Sequence, residues 1–279
     1  MATTRETEHS VHFERPPLNE VVFSVQFDGD VIDEVAALSR FWPKIQPQFP
    51  NLKKQPPFPP ATEDFGVPGP QSGPQVQFLT GPPSHRYWFL SEDGTKLIQV
   101  QGDRFLFNWR QVVGDEEYPR FATLFPEFIG HLRTFLGTLD SSATPAWCEL
   151  SYINPVPTTG EQLGTHGQLA QILNYLVRDP ERQVLPVVED AQLQQRFRIL
   201  DERTGEPTGR LYVTAVPGFR NSDSLPVYVI TLLARGRAEH GELPESLVAF
   251  FDRAHDLIVG GFREVTTPAM HELWGLRRS

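Results

Sequence analysis

The sequence predicts an α+β fold made of two tandem β-α-β4-α units, an antiparallel sheet backed by helices. Three observations predict it. Phe121, Leu124, Phe125, Phe128, Leu132, Phe135, Leu136 and Leu139 recur at i, i+3, i+4 and i+7, the apolar stripe of one amphipathic helix. Leu247, Phe250, Phe251, Ala254, Ile258, Gly261, Phe262 and Val265 repeat that stripe at a constant displacement of 126 (121 to 247, 139 to 265). Each stripe follows strand-like runs, and each half opens with a strand and then a short helical pattern.

The elements follow in order. Val21, Phe23, Val25 and Phe27 alternate with polar residues, which is a half-buried strand. Val31, Val35, Leu38 and Phe41 read as a helix capped by Asp28 or Asp30. Residues 43–74 hold 10 prolines in 32 residues, an extended excursion read as an exposed loop. Val76–Thr80, Arg86–Ser91, Lys96–Gln101 and Arg104–Arg110 form a meander, with tight turns at Asp93-Gly94 and Gly102-Asp103. Pro119 opens the first long helix, and Pro126 is expected to kink or restart it.

In the second half Trp147–Ile153 is a strand, and Leu169, Ile172, Leu173 and Leu176 a helix. Strands are expected near Leu185–Val188, Gln194–Leu200, Gly209–Ala215 and Val227–Ala234, before a helix opened by Pro244. Thr267 and Pro268 start a terminal helix whose Met270, Leu273 and Trp274 pack back. The units are therefore 1–142, with the Pro-rich insertion, and 143–279.

The charge is net −10, from 25 basic and 35 acidic residues. It is spread over both units, so attraction to duplex nucleic acid or an anionic membrane is not expected. A basic protein partner, or a second copy of the chain, is the better expectation. One cysteine cannot make an internal disulfide. The polar N-terminus and the lack of a long apolar run point to a cytoplasmic protein.

No phosphate loop, dinucleotide fingerprint or nucleophile elbow occurs. His271-Glu272 begins a zinc-protease pattern, but Gly275 stands where the second histidine belongs. Asp252, His255 and Asp256 could face one cation, although a solvated helix face is the simpler reading. Cys148 reads as a core thiol. His85 and His131 read as surface or satisfied core residues. No catalytic residue, cofactor or metal is expected.

Strand parity leaves one constellation. With the apolar set facing the helices, Arg86, Trp88, Arg104, Asn108 and Arg110 share the other face with Arg196, Arg198, Arg210 and Tyr212. Ser24, Gln26, Gln77, Gln99, Gln101, Glu149, Ser151 and Thr214 fall there too. Six arginines and one acid make this face locally positive. It suits a solvated sheet face, a protein-binding surface, or a platform for nucleotides or single strands.

The doubled element order resembles the duplicated architecture of the TATA-box-binding protein. The stretches PPLNEVVFSVQF (16–27), FLSEDGTKLIQVQGDRFLFNW (89–109), CELSYINPV (148–156) and HDLIVGGFREVTTPAMHELWG (255–275) are similar to a sporadically distributed bacterial family of about this length. That resemblance carries no assigned activity; its patchy occurrence implies mobile or defence-associated genes. The expectation is a non-catalytic interaction protein, immunity-like or antitoxin-like. The alternative is a ligand, nucleotide or single-strand binder.

Overall fold

The computed structural model describes residues 11–65, 85–114, 116–140, 142–158, 166–167, 169–174, 184–186, 188–220, 222–238 and 241–277. Nine strands form one antiparallel sheet in the order β3-β4-β5-β6-β2-β7-β10-β9-β8. The first five are β2 (Glu20–Phe27), β3 (Asn51–Gln55), β4 (Arg86–Leu90), β5 (Lys96–Gln101) and β6 (Arg104–Arg110). The others are β7 (Pro145–Pro157), β8 (Leu193–Leu200), β9 (Pro207–Phe219) and β10 (Pro226–Gly236). The short β1 (His12–Phe13) pairs with β11 (Leu276–Arg277) beside the sheet.

One sheet crosses the boundary between the halves, because β2 pairs with β7 along its length. About that pair the order is mirrored: β6, β5, β4 on one side and β10, β9, β8 on the other. The number of strands differs. After its first helix the second half has three strands among the described residues, not four, since 184–186 and 188 are not strand. That predicted strand was a short apolar run; Val184 and Leu185 lie exposed at 94% and 74%. The Val76–Thr80 strand and Gln77 lie outside the described residues. β3, inside the Pro-rich stretch, pairs with β4 and is the outermost strand on that side among the described residues. Its Lys53 and Lys54 are the charged side chains that discourage edge-to-edge pairing.

Helices cover one face. α3 (Phe121–Leu136) and α5 (Val248–Val265) bury the matched stripes, with Phe125, Phe128 and Leu132 answering Phe251, Ala254 and Ile258. Phe23 on the central strand stacks on Phe128 at 5.1 Å and lies 5.7 Å from Phe251, so both helices seat on one ring. α3 runs unbroken through Pro126, contrary to the expected restart. Proline forfeits one N–H bond here, and the buried stripe offsets it.

The first helix starts later than expected. Asp33, not Asp28 or Asp30, caps α1 (Glu34–Ala36) by accepting from the Ala36 N–H at 2.7 Å. A π-turn (Ala37–Phe41) then leads into α2 (Trp42–Ile45). The wide turn shifts the buried side to Ala36, Ala37, Phe41 and Ile45 and leaves Val35 74% exposed. Asp30 instead sits against the β5–β6 hairpin, where a Cβ on Gly102 would lie 2.6 Å from its carboxylate.

In the second half α4 (Leu169–Ile172) is short, and Leu176 lies outside the described residues. α6 (Pro268–Leu273) ends at Trp274, which stacks on Phe262 at 5.0 Å. Leu273, expected to pack, is 56% exposed. No described helix is long and apolar enough to cross a membrane.

Candidate functional site

The parity expected from the sequence holds: Arg86, Trp88, Arg104, Asn108, Arg110, Arg196, Arg198, Arg210 and Tyr212 share the face away from the helices. The two halves of that face differ in what covers them. In the first half it is not solvated. Ser24, Gln26, Arg86, Gln99, Gln101, Arg104 and Asn108 are all buried.

The cover is the chain's own Pro-rich segment, residues 56–65. Pro56, Pro57, Pro59 and Pro60 fix φ and remove N–H groups, so the segment stays extended and cannot pair with itself. Its N–H bonds to the sheet come from Phe58 and Ala61, which are not prolines. Gln101 accepts from the Phe58 N–H at 2.8 Å and donates to the Phe58 carbonyl at 3.0 Å. Gln26 does the same for Ala61, at 2.7 and 3.3 Å. The spacing is physical: three extended residues rise about 9 Å, and β5 and β2 are two strand spacings, about 9.6 Å, apart.

Beneath this strap the polar side chains bond to one another. Arg86 donates to Gln99 at 2.8 Å, Gln99 to Asn108 at 2.8 Å, and Asn108 to Glu20 at 2.6 Å. Arg104 donates to Gln26 at 2.5 Å and to the Pro59 carbonyl at 3.1 Å. The Phe58 ring lies 3.5 Å from the Arg86 guanidinium. Burial, and then the charge of Arg104, pull the pKa of Arg86 down. Burial pushes the Glu20 carboxyl up, against the Asn108 bond. Trp88 is flanked by Arg86 and Arg110, whose own Nε donates to the Gly94 carbonyl.

The strap reaches the second half at Glu63, whose side chain is 1% exposed. Arg210 donates to it, Arg235 at 2.9 Å and the Tyr212 hydroxyl at 2.5 Å. Arg235 also donates to Glu149 at 2.5 Å, so two arginines meet two carboxylates. Phe65 lies over Arg210. Beyond the strap the face opens: Arg196 and Arg198 on β8 are exposed. A hollow of about 260 Å³ is lined by Tyr212, Thr214, Thr231, Leu233 and Arg235. Sequence reasoning missed Arg235 and Glu63. Ala234 faces the helices, so parity alone puts Arg235 on this face; the apolar run before it hid that. Nothing local marks Glu63 as buried.

The remaining candidates do not assemble with this face. Cys148 is fully buried, and burial, followed by the Glu149 charge, raises its thiol to about 12, which leaves no reactive thiolate. Asp252 and Asp256 are exposed, whereas His255 turns inward to Tyr152 at 2.9 Å, so the three do not converge. Among the described residues no three His, Cys, Asp or Glu groups could hold a metal. His85 and Tyr87 both bond to Glu34, and His131 packs on Phe49. No family model, curated protein or solved structure matches this chain.

Proposed function

We propose that this chain is a non-catalytic protein-interaction component, an accessory of the immunity-like or antitoxin-like kind acting in the cytoplasm. It binds its partner on the second half of the polar sheet face. One observation carries the reading. The strap's own Glu63 is held by two arginines and a tyrosine at the rim of a hollow whose floor continues as threonine, leucine and arginine. An acidic, extended segment of another protein meets the same donors beside it, with Arg196 and Arg198 as outer anchors. Arginine and tyrosine are the residues that concentrate binding energy at interfaces. A partner that is basic overall and offers an acidic segment here satisfies both the local charge and the net −10 of the chain.

The mirrored strand order about β2 and β7, and the shared stripe of α3 and α5, support a chain duplicated from one unit in the manner of the TATA-box-binding protein. The likeness of four stretches to a patchily distributed bacterial family supports the accessory role. The nucleotide or single-strand alternative has less behind it. Trp88 is already flanked by arginines, and the net charge of −10 opposes a polyanion.

The test is capture from native cells with wild type and with an R196A/R198A double variant, alongside anisotropy with oligo-dT across salt. A stoichiometric protein partner kept by wild type and lost by the variant is expected. Salt-dependent oligo-dT binding, with no protein partner, overturns the reading in favour of the alternative.

A further inference from the structure

A second site lies on the opposite side of the sheet and is independent of the surface above. A cavity of about 310 Å³ opens between the first turn of α3, the middle of α5, strand β7 and the N-terminal residues 11–18. That volume is in the range of small-molecule sites. Its wall is apolar, with Phe13, Leu18, Phe121, Ile258 and Phe262 contributing. A void among such side chains lowers stability, and interiors keep few of them.

The polar groups in it are ordered. The Tyr118 and Tyr152 hydroxyls are 3.0 Å apart, and the Tyr152 hydroxyl is 2.9 Å from His255 Nδ1. The His255 ring stacks flat on Phe121 at 4.2 Å, which fixes its plane. Burial lowers the pKa of His255, raises Tyr118 to about 12 and raises Tyr152 well above the ordinary phenol value, so each is biased to its neutral form. The cavity's cation is Arg120. It donates to the carbonyls of Phe13 and Glu14 at 3.0 and 3.2 Å and lies over the Tyr118 ring at 5.6 Å. No carboxylate pairs with it among the described residues. Arg120 is also held at φ 72°, a conformation non-glycine residues rarely adopt and that clusters at ligand sites.

The geometry points to a binding site for a small organic acid with an aromatic or aliphatic body. The carboxylate meets Arg120 and the Tyr118 hydroxyl. The body fills the space between Phe121, Ile258 and Phe262. The tyrosine–tyrosine–histidine chain is the hydrogen-bonding end that orients it.

The test uses the full chain with benzoate, 4-phenylbutyrate and octanoate, each beside its primary amide, read by calorimetry and by Tm. At least one acid is expected to bind once per chain with Kd below about 1 mM and to raise Tm. Its amide is expected to bind about tenfold or more weakly. Y152F removes one hydroxyl and keeps the ring, and is expected to weaken the acid. Ala122 is exposed on the cavity wall, so A122F blocks the site at little risk to folding and is expected to abolish binding. Three results overturn the proposal: no acid binds at millimolar concentration, acid and amide bind alike, or A122F binds as wild type does.

Discussion

The two halves of the polar sheet face carry similar side chains in different surroundings. Arg86 and Arg104 are buried, bonded to glutamines and roofed by Phe58 and Pro59. Arg196 and Arg198, at equivalent parity on the other side of β2 and β7, are exposed. The difference lies in the path of ten residues, 56–65, which run from β4 towards β9 and reach Arg210. Arginine on a sheet thus has no fixed role: the same residue is a structural hydrogen-bond donor under a strap and an accessible cation beyond it.

The largest effect that tests this contrast is expected at Glu63. Its removal in E63A leaves Arg210 and Tyr212, both half-buried, without the carboxylate they share and is expected to cost about 2–3 kcal/mol in urea unfolding. Arg235 keeps Glu149, which limits the loss. A cost near zero breaks the comparison, because the strap is then not anchored in the second half.

R104A comes next. It strips Gln26 and the Pro59 carbonyl of a buried donor, and a loss of about 2 kcal/mol is expected by the same measurement. R198A, in the open half, is expected within about 0.5 kcal/mol of wild type. Equal costs for Arg104 and Arg198 show that burial is not what separates the halves.

A pH effect sharpens the closed half further. Burial raises the folded pKa of Glu20 above its unfolded value. The folded state therefore holds that proton more tightly. The associated stability is present below the unfolded carboxyl value and is lost as pH rises through the folded one. E20Q keeps an acceptor for Asn108 and is expected to be at least as stable as wild type at pH 7. It is also expected to flatten the decline in Tm above about pH 4.3. A variant with the wild-type slope assigns that slope to another group.

Strand parity was legible because the apolar residues of β2, β5 and β6 that face the helices recur at every second position, and it put nine named side chains on the correct face although Val22, Leu97 and Leu106 share that face. The long helices were legible from their stripes, including the pairing of Phe128 with Ala254. The strap was not. Proline-rich composition dictates an extended chain but not the surface it lies on; only the positions of Gln26 and Gln101 settle that. His255 was misjudged for a related reason. It forms a polar triplet with Asp252 and Asp256, yet it also continues the buried series Phe251, Ile258 and Phe262. The partners that draw it inward, Phe121 and Tyr152, lie on other elements.

The pairing of β2 with β7 has a consequence for synthesis. β2 ends at Phe27, and its second neighbour does not begin until Pro145. While the ribosome is still making the residues between, β6 can close one side of β2, but the other side stays an unpaired edge in an apolar strand. Such edges are where growing chains associate with one another. Anything that delays translation between the two strands is therefore expected to be felt as aggregation of the nascent chain, although the finished protein has that edge at the centre of its sheet.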